Sequence, residues 1–257
     1  MEIKAKKSLG QNFLINKNIQ NKIVLSAELE NEDVIEIGPG LGALTYLIIP
    51  KAKSLVAYEL DKELYERFIN ENHPENIKFI NTNFLDVDLN NLNKKVIVIG
   101  NIPYNITSDI LFKLLRSSNN IKHAVLMMQK EVCDRLLAKP NSKEYSKLSV
   151  SFQIYSNIKK ILIAKANEFN PAPKVDSAVV RINFDCQDEY LINNQEKILN
   201  FIKICFQFKR KTLYNNLITN YSKDKILFSF EKLCLSLQIR AEALEVNQFI
   251  DLFKALN

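Results

Sequence analysis

Asp33-Val34-Ile35-Glu36-Ile37-Gly38-Pro39-Gly40-Leu41-Gly42 is the stretch that decides the fold. Five residues that read as a strand run straight into a turn holding three of the chain's five glycines, and a helix is expected to follow through Ile49. A turn of this kind lets a ligand come close to the main chain, because there are no side chains to hold it off. In open α/β sheets the crevice beyond the strand C-termini is the usual ligand site. Gly38, Gly40 and Gly42 stand at that place, with Glu36 just before them. The spacing GxGxG differs from the GxGxxG fingerprint of dinucleotide sites, and no other pyrophosphate-binding feature replaces it.

Outward from this stretch, further strands are expected at 54–59, 77–80, 96–99 and 124–128. Helices are expected at about 16–27, with Asn16 as N-cap, and at 62–70 and 108–115. Several of the strands are continuous apolar runs, such as Val96-Ile97-Val98-Ile99, which suits a parallel sheet covered on both faces. Strands at 160–164 and 177–184 follow. From about Glu189 the periodicity turns helical: Ile198, Ile202, Cys205 and Phe206 share one face, as do Val246, Phe249, Ile250 and Phe253. The expected architecture is an α/β domain over 1–186 and a small all-helical C-terminal domain over 187–257.

The 257 residues are 47% hydrophobic and 25% charged, as in ordinary globular proteins. No run approaches the roughly 18 apolar residues of a membrane span. The basic start, Met1 to Lys7, lacks the apolar core of a secretion signal, so a cytoplasmic protein is expected. Four scattered cysteines and two histidines have no metal-site spacing, and no metal is expected. A formal charge of +6 favours a polyanionic partner, although many basic proteins never touch nucleic acid. Clustering sharpens the signal: Lys4, Lys6 and Lys7 lie together near the start, and Lys209-Arg210-Lys211 near the end.

Glu59 ends the second strand, where a carboxylate can accept hydrogen bonds from both ribose hydroxyls of a nucleoside cofactor. A hydride-transfer enzyme would use the same pair, and on its own Glu59 is equally at home on a solvated helix start, with Asp61 as the cap. The segment Gly100-Asn101-Ile102-Pro103-Tyr104-Asn105 is more specific. An adenine amino group is a poor nucleophile because its lone pair is delocalised into the ring. An Asn side-chain oxygen and a main-chain carbonyl that grip the two N6 hydrogens can hold that lone pair toward an electrophilic methyl group. Pro103 fixes the main-chain direction, and Tyr104 can stack on a flipped base. No strong general base is needed, since the nitrogen becomes acidic once methylated. A plain turn would explain Pro103 and the Thr107 and Ser108 caps but not the aromatic at 104.

With Leu9-Gly10-Gln11-Asn12-Phe13-Leu14 and Phe169-Asn170-Pro171-Ala172-Pro173-Lys174-Val175-Asp176-Ser177, these motifs resemble the ribosomal RNA adenine dimethyltransferases, specifically the bacterial small-subunit enzymes linked to kasugamycin sensitivity. The resemblance spans essentially the whole chain. It implies a Rossmann-like class I methyltransferase sheet with the helical domain behind it. The implied activity is transfer of methyl groups from S-adenosyl-L-methionine to N6 of two adjacent adenosines in the 3′-terminal hairpin of small-subunit rRNA. The expected partner is that rRNA within an assembling subunit, since the helical domain and the two basic clusters suggest a broad phosphate-contacting surface, and a monomer is expected. By position it implies that Asn12 and Leu14 cover the cofactor. Gly38, with Gly40 in the same turn, abuts the methionine part, and Glu59 holds the ribose. Asn101 meets the methionine end and the target N6, while Tyr104 and Phe169 sandwich the adenine. Where the family usually has an acid for the cofactor's adenine, this chain has Asn83 followed by Phe84, an acceptor without charge, with Asp86 as a possible substitute. Lys209, Arg210 and Lys211, ahead of a helix, suit phosphate contacts. Macrolide-resistance enzymes acting on large-subunit rRNA share two of the motifs, and a non-catalytic assembly or transcription factor on the same fold is a third reading. A nicotinamide-dependent oxidoreductase lacks any candidate hydride-site residues.

Overall fold

The computed structural model describes residues 5–257, and these form two compact units. The first takes the chain up to Cys133 together with Ile158–Phe184; the second takes Asp134–Asn157 and Asp185–Asn257.

The first unit is built on nine strands: β1 (Phe13–Leu14), β2 (Asp33–Ile37), β3 (Ser54–Glu59), β4 (Ile77–Asn81), β5 (Val96–Asn101), β6 (Ile121–Gln129), β7 (Asn157–Ala164), β8 (Phe169–Asn170) and β9 (Ser177–Asn183). Seven of them form one sheet in the order β4-β3-β2-β5-β6-β9-β7. Strands β4 to β6 are parallel, and β9 is antiparallel to β6 with Leu126 opposite Val180. Every residue of β2 is buried, as a strand covered on both faces requires, whereas β4 and β7 at the edges are mostly exposed or half-buried. The chain runs outward from β2 to β3 and β4, then returns to β5 on the other side of β2. That reversal opens a crevice at the C-terminal ends of β2 and β5, the position where such sheets bind ligands.

Helix α1 (Lys17–Ser26) leads into β2, helices α2 (Thr45–Ile48), α3 (Lys62–Ile69) and α4 (Thr107–Arg116) join parallel strands, and α5 (Lys130–Leu136) follows β6. Asn16 caps α1 through the amides of Asn18 and Ile19. The helix after the glycines is shorter than expected, because residues 41–44 continue the turn. In α4 the buried Ile110, Leu111, Leu114 and Leu115 make one stripe at helical spacing. A separate two-stranded sheet pairs β1 with β8, setting Leu14 opposite Phe169.

The second unit contains α6 (Lys147–Tyr155), α7 (Glu189–Asn193), α8 (Gln195–Cys205), α9 (Leu213–Leu217), α10 (Lys223–Lys232) and α11 (Val246–Leu256). Sequence periodicity places one boundary after residue 186, but this unit also takes in the stretch around α6. There the Tyr145 hydroxyl donates to Leu244 O at 3.0 Å and the Tyr155 hydroxyl to Leu191 O at 3.3 Å, both buried. Phe201, Phe249 and Phe253 fill its centre. Among the described residues no helix is long and apolar enough to cross a membrane.

Candidate active site

A cavity with about 980 Å³ of empty space, part of it open to solvent, lies at the C-terminal ends of β2, β3 and β5. Its wall brings together Asn12, Gly38, Gly40, Glu59, Asn83, Phe84, Asn101, Pro103 and Tyr104, residues spread over more than ninety positions of the chain.

The turn after β2 shapes the floor. Gly38 has φ +66°, a left-handed conformation that suits glycine, and a Cβ built on it would meet no atom within 4 Å. A side chain there would project into open space at the cavity wall. Gly100 is small for a different reason: a Cβ would sit 2.6 Å from the Ile37 carbonyl oxygen, so its absence lets β5 lie close against β2 just before Asn101.

Glu59 is buried, and both carboxylate oxygens are engaged. Oε2 accepts from Gly40 N at 3.0 Å and Oε1 from Asp61 N at 2.9 Å. Burial raises its pKa, and these main-chain bonds only partly offset the rise. Asp61 caps α3 through Glu63 N and also accepts from Lys6 Nζ at 2.7 Å and Gln11 Nε2 at 2.8 Å. Burial alone would raise its pKa, but Lys6, Gln11 and the cap bond outweigh it and hold the carboxyl below its usual value. The Gln11 side chain also accepts from Lys6 N at 2.7 Å, so the segment before β1 is laced to the start of α3.

Glu36, buried in β2 ahead of the glycine turn, does not line the cavity but is an unusual acid. It is 1% exposed, and neither its Oε2 nor the enclosed Thr45 hydroxyl makes a hydrogen bond of normal geometry among the described residues. Burial pushes its pKa up to about 8; the nearby Thr45 opposes the rise and the Glu59 carboxylate adds to it.

At the end of β5, Asn101 Nδ2 donates to the Asn12 carbonyl at 2.9 Å, which fixes the orientation of the amide. Ile102 N donates to Met127 O at 3.0 Å, and the Thr107 hydroxyl donates to Pro103 O at 2.9 Å. The segment is therefore pinned at Asn101 and at each of the two residues that follow it. The Tyr104 hydroxyl and Ser177 Oγ share a hydrogen bond of 2.6 Å. Burial of the phenol raises its pKa, against the smaller effect of Ser177.

Leu14, Phe169, Asp86 and the basic triplet, also singled out in the sequence, lie elsewhere. Leu14 and Phe169, 4% and 3% exposed, pack into the core with Ile23 and Ala164 and do not line the cavity. Asn83 lines it, but its Oδ1 already accepts from Leu85 N at 3.0 Å. Asp86 is exposed and does not line it. Lys209, Arg210 and Lys211 are exposed on the second unit, with Lys211 Nζ 4.6 Å from the Phe208 ring centre. Of the N-terminal lysines, Lys4 lies outside the described residues, and Lys6 is paired with Asp61 and with Glu63 at 3.3 Å. Sequence reasoning did not foresee Ser177 at Tyr104 or the Gln11–Asp61 bond. A polar residue inside each motif was the only available signal. Among the described residues no three His, Cys, Asp or Glu side chains are grouped to hold a metal ion.

The strand order, the antiparallel β9 and a site at the ends of β2, β3 and β5 define a Rossmann-like methyltransferase sheet followed by C-terminal helices. A dimethyladenosine transferase from Plasmodium falciparum has the same fold: TM-score 0.80, 28% identity, covering 93% of this chain and 95% of that one. The 23S rRNA methyltransferase ErmE matches with TM-score 0.70 and 25% identity, covering 95% and 99%. By sequence the chain is 49% identical to ribosomal RNA small subunit methyltransferase A of Metamycoplasma arthritidis, over 100% of this chain and 98% of that protein. It is 44% identical to the protein of the same name from Chlorobaculum parvum, over 99% and 90%. Residues 2–257 match the ribosomal RNA adenine dimethylase family, and the chain belongs to it.

Proposed function

We propose that this protein transfers methyl groups from S-adenosyl-L-methionine to N6 of two adjacent adenosines in the 3′-terminal hairpin of small-subunit rRNA. We further infer that it acts as a cytoplasmic monomer on a partly assembled subunit. The small-subunit assignment is supported by relatives 44% and 49% identical over nearly the whole chain that carry that name. The observation that carries the chemistry is Asn101, held at the cavity wall by its bond to the Asn12 carbonyl. With Nδ2 committed, Oδ1 is the atom left to accept a hydrogen from an incoming amino group.

The cavity suits the cofactor on two counts: the open space over Gly38, and a buried carboxylate at the end of β3. Bound there, S-adenosyl-L-methionine supplies an electrophilic methyl group and a neutral thioether leaving group. Glu59 spends one lone pair of each oxygen on main-chain amides and keeps others for ribose hydroxyls. Asn83 retains a second lone pair as an uncharged acceptor for the cofactor's adenine, beside Phe84. Asn12 braces Asn101, and Gly40 gives its amide to Glu59. Asn101 Oδ1 and a neighbouring main-chain carbonyl hold the two N6 hydrogens, turning the lone pair toward the methyl group. Once methylated, the nitrogen gives up its proton without a strong base. Pro103 sets the direction of the segment, and Tyr104 offers a face for the adenine. Phe169 is covered in this structure, so its stacking role requires RNA binding to uncover it. Lys209, Arg210 and Lys211 on the second unit are assigned to rRNA phosphates. Positioning and electrostatics account for the catalysis.

Asn101→Ala tests the mechanism. It is expected to cut kcat on the order of a hundredfold or more while S-adenosyl-L-methionine still binds in a calorimetric titration. Full turnover in that variant contradicts the role of the amide.

A further inference from the structure

We propose that Ser177 is a positioning residue for Tyr104, holding the phenol ring in the attitude in which it stacks on the target base. The inference rests on the stacking role assigned to Tyr104 above. The two hydroxyls are 2.6 Å apart, and Ser177 is fully buried. Ser177 does not line the cavity, so it acts on the site only through Tyr104.

Ser177 makes a rigid anchor. It opens β9 and sits in register opposite Gln129 of β6. Its neighbour Asp176 is fixed three ways: its carbonyl accepts from Lys130 N at 3.0 Å, and its carboxylate accepts from Ala166 N at 3.1 Å and Lys165 Nζ at 2.9 Å. Tyr104, by contrast, begins a single 3-10 turn, Tyr104–Ile106, and its side chain is only part-buried. A ring held only at Cβ swings through an arc as its first side-chain torsion changes. A bond at the para oxygen fixes the far end and leaves only rotation about the ring's long axis. Holding the ring in advance spares the base that ordering cost when it arrives. An alanine would fill the same buried site, but only a hydroxyl gives the phenol a partner. The bond also ties the Phe169–Ser177 segment to the catalytic one.

The test is a double-mutant cycle read by methyl transfer to unmethylated small subunits. Ser177→Ala and Tyr104→Phe are each expected to lower kcat/KM roughly two- to tenfold, the worth of one neutral hydrogen bond. The double variant should be no worse than either single one. Calorimetric affinity for S-adenosyl-L-methionine should be unchanged throughout, and Ser177→Thr should restore turnover. Additive losses, or wild-type kcat/KM in either single variant, overturn the tether. Should Ser177→Ala fail to fold, Tyr104→Phe and Ser177→Thr probe the same bond. Tyr104→Ala separates the two readings. Full activity there overturns stacking itself, whereas a dead Tyr104→Ala beside normal Ser177→Ala and Tyr104→Phe overturns only the tether.

Discussion

Replacing Glu36 by glutamine is expected to stabilise the protein, and by more as the pH rises. The carboxyl is 1% exposed, and its folded pKa is about 8 against an ordinary 4.5. The unfolded chain releases this proton near pH 4.5, while the folded protein keeps it until about pH 8. Between those values the unfolded state binds fewer protons, so stability falls as pH rises. Over about 3.5 pH units, at about 1.4 kcal/mol each, the loss reaches about 5 kcal/mol, of which about 3 kcal/mol is already present at pH 7. Glutamine does not titrate, so its advantage should grow from near nothing at pH 4.5 to about 3 kcal/mol at pH 7. That corresponds to a melting temperature higher by roughly 5–10 °C for a chain of this size. The assay is scanning calorimetry of both proteins from pH 5 to 8.5. Groups such as Glu59 and Asp61 titrate in both proteins and largely cancel in the difference. Parallel melting curves across that range, or a variant less stable at pH 8 than at pH 5 relative to wild type, would refute the reasoning.

Glu59→Gln leaves an amide that can accept only one of the two main-chain bonds now made to Gly40 N and Asp61 N. Calorimetry should show S-adenosyl-L-methionine binding weakened by about tenfold or more, and unchanged affinity would count against the ribose role. Phe169→Leu keeps an apolar side chain in the core and should melt within a few degrees of wild type. If Phe169 stacks on the target, turnover nonetheless drops; normal kcat and KM would make it a packing residue only. Replacing Lys209, Arg210 and Lys211 together by glutamine should reduce the slope of log binding constant against log salt for rRNA by about two to three. An unchanged slope would place those cations away from the phosphates.

The sheet was legible because its signals are local. β2 runs straight into the glycine turn, and β5, an unbroken apolar run from Val96 to Ile99, leads into Asn101. Glu59 at the end of β3 and Asp61 as the cap of α3 were both readable from position. Features that depend on distant partners were not. β1 and β8 are two residues each, too short for any periodicity, and their pairing is what buries Leu14 and Phe169. α6 escaped notice because it is buried on nearly every side, from Leu148 to Tyr155, and so shows no amphipathic stripe. Its place with the C-terminal helices rests on tyrosine hydroxyls reaching carbonyls 99 and 36 positions away. Lys6 reads in sequence as a free cation, yet Asp61 takes its charge. The protonated state of Glu36 follows from enclosure, which composition cannot reveal.

Methylation of adenine amino groups in small-subunit rRNA can be read out directly. The most direct measurement offers labelled S-adenosyl-L-methionine with unmethylated small subunits, free small-subunit rRNA and large subunits in separate reactions, then digests the RNA to nucleosides. Labelled N6,N6-dimethyladenosine is expected from small subunits, two residues per particle, with none from large subunits and none with Asn101→Ala. Label in large-subunit RNA, or no dimethyladenosine from small subunits despite measurable cofactor binding, would contradict it.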